Sequence, residues 1–431
     1  MSRYDEMIAW MFRQIPMYQR TGKAAYKADL GTTLKLDQYF DHPHKQYKTI
    51  HVAGTNGKGS VSHALTSVLQ AAGYKTGLYT SPHLKDYRER IRINGEMIDK
   101  AYVIEFIEQN QSLFEELQPS FFEMSVALAF QYFADKQVDV AVVEVGMGGR
   151  LDSTNIIQPE VSAITNIGLD HTAFLGKELP VIAKEKAGII KNNTPVVIGE
   201  THSKTHKVFE ERAKGMGAEI YFADRFYKLE EKQPGAFMSK QYHVINPVTN
   251  EILFDLKTDL LGAYQAKNLG TCLKILDLLR EKGFRITREH IQEGLAKVKQ
   301  KTGFAGRWQV LGQTPLVLCD TAHNREGIAT NIEQLNRMDY HQLHFVIGFV
   351  NDKNLDPILS LFPREAVYYF TKADIPRALD EHELERQALR RGLHGKSYGT
   401  VKQAFQQART AAGQHDLIYV GGSTFVVSEI I

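Results

Sequence analysis

The ten residues His51–Ser60, HVAGTNGKGS, decide the fold. A β-branched, apolar run from Thr49 to Ala53 leads into Gly54, Thr55 and Asn56, and then into Gly57, Lys58, Gly59 and Ser60. A strand that stops at glycines and restarts as a helix aims backbone N–H groups and the positive helix end at one point, which suits a phosphate. Lys58 adds a point charge for the β/γ-phosphates, and the Ser60 hydroxyl can ligate Mg²⁺. Two departures from G-x-x-x-x-G-K-[ST] make this a variant loop: Val52 stands where the first glycine belongs, and Gly59 separates Lys58 from Ser60. Taken alone, the stretch also fits a glycine-rich turn with a solvated lysine.

Downstream, Val61, Ala64, Leu65, Val68 and Leu69 form the one-sided stripe of a helix that Gly73 ends. The strand Thr76 to Thr80 then delivers Ser81, Pro82 and His83, at the kind of strand end where open α/β sheets gather ligands. After a helical stretch from 99 to 136, the strand Val138 to Val145 is nearly all apolar, yet Glu144 interrupts it near its C-terminal end. A carboxylate there is costly unless paired or bound to a cation, so Glu144 is expected to be a metal ligand or water-positioning group. The polar loop GMGGRLDSTN follows with Arg150, Asp152 and Asn155, and the strand Val161 to Ile167 ends in Asp170-His171. Next, IAKEKAGII has helical spacing, and composition alone makes Lys186 a surface lysine. Strand Pro195 to Gly199 is expected to close the series of βα units, and Phe237 to Leu256 alternates like a hairpin. A long helix then begins with Gln265 and Asn268 in its first turns, where amides serve as caps or surface residues.

The 431 residues exceed one ordinary core, so two domains are expected. A polar, glycine-containing segment, Lys297 to Gly303, divides them into residues 1–299 and 300–431. Beyond it, strands Leu316 to Cys319 before Asp320-Thr321-Ala322-His323-Asn324, Leu343 to Phe349 before Asn351-Asp352-Lys353, Ala366 to Phe370, and Leu417 to Val420 before Gly421-Gly422-Ser423 alternate with helical patterns. The fold class expected is α/β: an N-terminal P-loop-type ATPase domain with a mostly parallel sheet, and a smaller C-terminal Rossmann-like domain. Lys plus Arg total 52 against 50 acidic residues, a net charge of +2 that gives no electrostatic reason for nucleic acid as a partner. The two cysteines, Cys272 and Cys319, sit in apolar surroundings without metal-ligand spacing. The N-terminal stretch is an amphipathic helix rather than a leader, and no segment approaches the ~18 apolar residues of a membrane span. A soluble, cytoplasmic, monomeric protein is expected. The long polar connection Tyr18 to Asp29 is either a substrate-facing loop or a plain surface one.

In order along the chain, GTNGKGS, YTSPHL with RERIRING, FFE, EVGMGGRLDSTN, LDHTAFLG, EKAGII, GAYQAKN, GRW and DTAHN occur. In this the sequence resembles the folylpolyglutamate synthases and dihydrofolate synthases of the Mur ligase superfamily. The resemblance implies ATP-dependent amide formation. A carboxylate of the acceptor, a reduced folate or dihydropteroate, takes the γ-phosphoryl group, and the amino group of L-glutamate displaces phosphate. It also implies two Mg²⁺ ions, the first held by Ser60, Ser81 and Glu144 and the second by His171. Lys186 matches the family's carbamylated lysine, an anion able to ligate metal. Asn268 would contact adenine, and Arg307 the ATP phosphates from the domain junction. Asp320 and His323 would lie near nucleotide and glutamate, with Ser423 a further glutamate contact. Phe122, Asp152 and Ser153 fall in the motifs that face the pterin, and His83 in the SPHL stretch is a further substrate candidate. Ser153 stands where bifunctional members often have alanine, which points toward the polyglutamate activity. AGRW and DTAHN replace the usual PGRW and DGAHN, so Ala305 and Thr321 alter loop stiffness more than chemistry.

Two rivals stand beside this reading. A Mur-type ligase for a cell-wall nucleotide precursor shares the chemistry but should lack SPHL and RERIRING. A nucleotide-regulated binding protein would use the loop as a switch and has no use for Glu144 and Lys186.

Overall fold

The computed structural model describes residues 2–14, 29–232, 238–351 and 354–431. The polar connection expected at Tyr18–Asp29 lies outside them except for Asp29, as do Asp352, Lys353 and the start of the expected hairpin at Phe237. The chain divides into two compact units. The first comprises Met1–Lys232, Gln241–Asp259 and Gln265–Gly303, and the second Gln233–Lys240, Leu260–Tyr264 and Phe304–Ile431.

The first unit is built on β1 (Lys48–Ala53), β2 (Thr76–Tyr79), β3 (Ile91–Ile93), β4 (Glu96–Met97), β5 (Val140–Glu144), β6 (Val161–Ile164), β7 (Val196–Ile198) and β8 (Ile220–Phe222). They form one sheet in the order β4-β3-β2-β5-β1-β6-β7-β8, parallel from β2 through β8. Strand β3 runs antiparallel to β2 and β4 to β3. β1 and β5 are buried in nearly every position because helices cover both faces of the sheet. One face carries a core with Tyr79, Val143, Phe121, Phe130 and Phe133; further along, Ile164, Ile198 and Phe209 close another. Since β5 and β6 flank β1, the chain leaves β1 in one direction and later crosses to its other side. A ligand crevice opens at the carboxyl end of such a strand. Helix Lys58–Ala71 starts there.

Two expectations for this unit are corrected. Strand β7 does not close the βα series, because helix His206–Gly215 and β8 add one more parallel unit. β8 is three residues long and half-exposed at its first two positions, so it carries no buried run to betray it. The expected hairpin is present as β10 (Lys240–Ile245) and β11 (Ile252–Thr258), but a third strand, β9 (Lys228–Glu231), pairs with β10. Its sequence KLEE is too polar to signal a strand.

The second unit holds β12 (Gln309–Gln313), β13 (Leu316–Asp320), β14 (Leu343–Ile347), β15 (Val367–Thr371), β16 (Gly395–Tyr398) and β17 (Leu417–Gly421). Their order is β12-β13-β17-β14-β15-β16, parallel except for β12 against β13. The four strands read from the sequence are the buried centre. The two edge strands β12 and β16 are mostly half-exposed and lack an apolar run. Cores with Phe345, Tyr368 and Tyr419 on one face and Val346, Val420 and Ala404 on the other complete a three-layer α/β unit.

Candidate functional site

The loop after β1 is held from β6 outward. Thr55 N donates to Asn166 O at 3.0 Å, and Asn56 N to Asn166 Oδ1 at 2.8 Å. Thr165 Oγ1 donates to Asn56 O, and Thr55 Oγ1 pairs with Gly168. The backbone leaves no room for side chains at its turns. A Cβ on Gly54, at φ 149°, would lie 1.9 Å from Thr165 Oγ1. One on Gly57, at φ 86°, would lie 2.2 Å from Asn268 Oδ1. Gly57→Ala is therefore expected to cost about 1–3 kcal/mol of stability from backbone strain and collision together. In melts of the ligand-free protein, adding Asn268→Ala should recover part of that loss; a purely additive double mutant would refute the contact.

Helix Lys58–Ala71 begins at Lys58, so the Gly57–Lys58–Gly59 backbone forms its N-terminus. Lys58 Nζ folds back to Thr55 O at 3.3 Å. Ser60 is buried, and its Oγ accepts from Gln265 Nε2 at 3.2 Å, while Gln265 Oε1 accepts from Asn268 Nδ2 at 2.9 Å. Gln265 is thus fully buried against the loop, which corrects its reading as a cap or surface amide. Asn268 shares that correction through its contact with Gly57.

The neighbouring strands add their ends. Glu144 closes β5 in register with Val52, is buried, and accepts from Ser81 N through Oε2 at 3.1 Å. A Cβ on Gly59 would lie 3.7 Å from Glu144 Oε2, so the carboxylate stands over the loop. Lys186, on helix Leu179–Ala187, is 4% exposed, which removes the surface reading. Its Nζ donates to Gly54 O at 2.9 Å. Burial, and next the charge of Lys58, push its pKa down to about 7, against the opposing pull of Asp170 and Asp152. His171 has left-handed backbone at φ 48°, is partly exposed, and has Nε2 3.9 Å from Asp170 Oδ2.

The aromatic side of the unit gathers the motifs expected to face a pterin. Phe122 lies 6.1 Å from the Tyr79 ring, edge on, and against Gly146, where a Cβ would be 2.4 Å from Phe122 Cζ and 3.2 Å from Asp152 Oδ2. Asp152 is buried, which raises its pKa. Its Oδ1 accepts from Thr154 N and Oγ1 and its Oδ2 from Met147 N. Ser153 is buried beside it. His83 Nδ1 accepts from Arg90 Nε at 2.7 Å, and burial and then the Arg90 charge push its pKa down to about 3, leaving a neutral ring that presents Nε2–H.

In the second unit, Asp320 closes β13 and is almost wholly buried. Its Oδ2 accepts from Tyr264 Oη and Trp308 N and its Oδ1 from Ala322 N, all within 2.8 Å. Arg307 Nη1 donates to Gly306 O, and His323 Nδ1 pairs with Thr321 O. Ser423 caps helix Thr424–Ser428 by accepting from Phe425 N. Sequence reasoning missed Thr165, Asn166 and the depth of Gln265. Thr165-Asn166 was readable as a polar pair at a strand end, but it was absorbed into an overlong β6, which stops at Ile164.

The donors around the loop suit a hard cation. Ser60 and Glu144 bring oxygen atoms beside a phosphate-type turn, and oxygen is what Mg²⁺ takes. Among the described residues, no group of three or more His, Cys, Asp and Glu side chains is arranged to hold a metal ion. Among the described residues no helix is long and apolar enough to cross a membrane.

Residues 52–276 match the Mur ligase middle domain and residues 306–424 the Mur ligase glutamate ligase domain. The chain is 32% identical over 443 residues to a folylpolyglutamate synthase of Lacticaseibacillus casei, covering 99% of this chain and 97% of that protein. It is 35% identical over 401 residues to a Haloferax volcanii "Probable bifunctional folylpolyglutamate synthase/dihydropteroate synthase", covering 92% of this chain but only 47% of that longer protein. E. coli FolC in complex with DHPP and ADP superposes with a TM-score of 0.84 at 27% identity, over 100% of this chain and 97% of that one. A bifunctional folylpolyglutamate synthase/dihydrofolate synthase from Yersinia pestis, complexed with AMPPNP and Mn ion, gives 0.82 at 28%, over 98% and 97%.

Proposed function

The chain belongs to the folylpolyglutamate synthase/dihydrofolate synthase family of the Mur ligase superfamily, and on that premise we propose that it joins L-glutamate to a folate at the expense of ATP. It is an ATP-dependent amide-forming ligase that works with a divalent metal. The observation that carries the reading is Lys186: a buried amine held on the carbonyl of Gly54, with a pKa brought near neutrality, which a nucleotide switch has no use for.

The acceptor carboxylate and ATP are both anions, so their repulsion must be offset before in-line attack. Lys58 and the N–H groups of the Gly57–Ser60 turn hold the phosphates, and Asn268, beside Gly57, contacts the adenine. Ser60, Ser81 and Glu144 hold one Mg²⁺, and His171 with carbamylated Lys186 a second. Those ions supply charge neutralisation on the phosphoryl oxygens. Phe122, Asp152, Ser153 and His83 orient the folate so that its carboxylate meets the γ-phosphorus. Attack forms an acyl phosphate and releases ADP. The neutral amino group of glutamate then attacks the acyl carbon, expelling phosphate. In the second unit, Arg307, Asp320, His323 and Ser423 are our candidates for ATP and glutamate; Asp320, whose oxygens already accept from Tyr264, Trp308 and Ala322, shapes the site, whereas Ser423, which accepts from Phe425 N, keeps its hydroxyl hydrogen to donate. The reaction is placed in the cytoplasm, where ATP and folates occur, with a single chain as the working unit.

With ATP, Mg²⁺ and labelled glutamate, tetrahydrofolate is expected to yield labelled product. Dihydropteroate in a parallel tube decides the second activity: label there makes the enzyme bifunctional, and label there alone makes it a dihydrofolate synthase. No ADP release with any pteroate or folate would overturn the reading. Turnover of a uridine-linked muramoyl acceptor instead would establish the cell-wall alternative.

A further inference from the structure

The phosphate-loop strand carries a buried imidazole that none of these roles uses. His51 lies in the middle of β1, fully buried, between the apolar Ile50 and Val52. A histidine in a central strand gives up hydration that a valine never needs, so it must be matched by a partner. That partner is Thr154 Oγ1, 2.9 Å from His51 Nε2. Thr154 is itself fully buried, and its Oγ1 stands 2.5 Å from Asp152 Oδ1. We propose that His51, acting through Thr154, is a positioning residue for folate: the relay His51–Thr154–Asp152 holds the Asp152 carboxylate turned toward the Gly146–Phe122 contact.

Counting hydrogens gives the relay its direction. A threonine hydroxyl has one hydrogen to donate. With Asp152 ionised it goes to Oδ1, so the bond to His51 must run from the imidazole Nε2–H to Thr154 Oγ1. His51 Nδ1, which is buried without a hydrogen-bond partner, then carries only a lone pair. Reversing the chain would need a protonated Asp152 and would strand an Nδ1–H donor in the core, the costlier arrangement. The ring stays neutral, because burial and then the charge of Lys191 push its pKa down to about 3. The far end of the relay is fixed as well, since Met147 N donates to Asp152 Oδ2, the oxygen that faces the Gly146–Phe122 contact. Thr154, through its hydroxyl and its N–H, with His51 behind it, therefore steadies the rotation of the carboxylate from one side as Met147 N does from the other, without touching the substrate.

The inference rests on the reading that Asp152 and Phe122 meet the folate, and the test separates the two. In steady-state kinetics of the full chain, Thr154→Val should raise KM for the folate about 10-fold while leaving KM for ATP unchanged. His51→Leu should act in the same direction. Thr154→Ser and His51→Gln, which keep a hydroxyl and a reaching N–H, should restore most of the loss. A merely structural role would move both KM values together or neither, and either outcome overturns the proposal. Asp152→Asn is the control: if it raises the folate KM while the well-folded Thr154→Val does not, the relay fails and the folate site stands. If Asp152→Asn leaves the folate KM unchanged, both fail. Should His51→Leu not fold, nitrogen NMR of the unmutated protein decides the same point. His51 is expected as the Nε2–H tautomer, and a proton on Nδ1 would refute the relay.

Discussion

Replacing Lys186 with alanine is expected to lower ligation by roughly 10³-fold or more, the scale on which loss of a charge-stabilising group in a closed site is felt. Its buried Nζ touches only a carbonyl oxygen of the phosphate loop in the hydrogen bonds described, so as an ammonium it would add charge beside Lys58 rather than ligate a metal. As a carbamate it is an anion with two oxygens. Carbamate forms only on the neutral amine, and a pKa near 7 in place of the ~10.4 of a free lysine makes that form abundant at neutral pH. Activity at limiting bicarbonate should therefore rise with pH through about 7 and become less dependent on added bicarbonate above it. Folding linkage has the same sign. Between the depressed folded pKa and the unfolded one the unfolded chain binds more protons, so the unmodified protein gains stability as pH rises through that window. Lys186→Arg, which keeps the charge and cannot form a carbamate, should be as inactive as the alanine variant. Acetate or formate should partly revive Lys186→Ala by lending a carboxylate to the space vacated. Full activity of either variant, or activity indifferent to bicarbonate at every pH, would return Lys186 to a structural role.

The local pattern carried what depends on local pattern. The run Thr49–Ala53 before Gly54 marks β1 and its turn because a buried parallel strand must be apolar and a phosphate turn needs glycine. Glu144 stood out because its neighbours in β5 are all apolar. Lys186 did not: in a nine-residue helix with Lys184 and Glu185 beside it, nothing local tells which lysine faces inward, and only the family motif did. Gln265 was misjudged for the same reason, since its partner Ser60 is 205 residues away. The edge strands β8, β9, β12 and β16 escaped notice because a short or half-exposed strand has no need of hydrophobic alternation. His51 stands inside the decisive stretch, yet its role depends on Thr154, 103 residues further on.

Glu144→Gln isolates charge from shape at the strand that faces the loop. The amide oxygen can still accept from Ser81 N, so the turn carrying Ser81 and His83 should keep its place. What disappears is one negative charge beside Gly59 and Ser60. If that charge binds the ion that accompanies ATP, kcat should fall about 10²- to 10³-fold and the metal concentration for half-maximal rate should rise. Stability supplies an independent reading. A buried carboxylate costs folding free energy that a bound cation offsets, so the ligand-free variant should melt no lower than the unmodified protein. The upward shift of the melting temperature that Mg²⁺ and ATP give the unmodified protein should shrink in the variant, since stabilisation by a ligand follows its affinity. An unchanged metal-dependent shift, together with a lowered melting point without ligands, would mean that Glu144 serves the turn at Ser81 and not the ion. The metal would then have to be sought among Ser60, His171 and the carbamate.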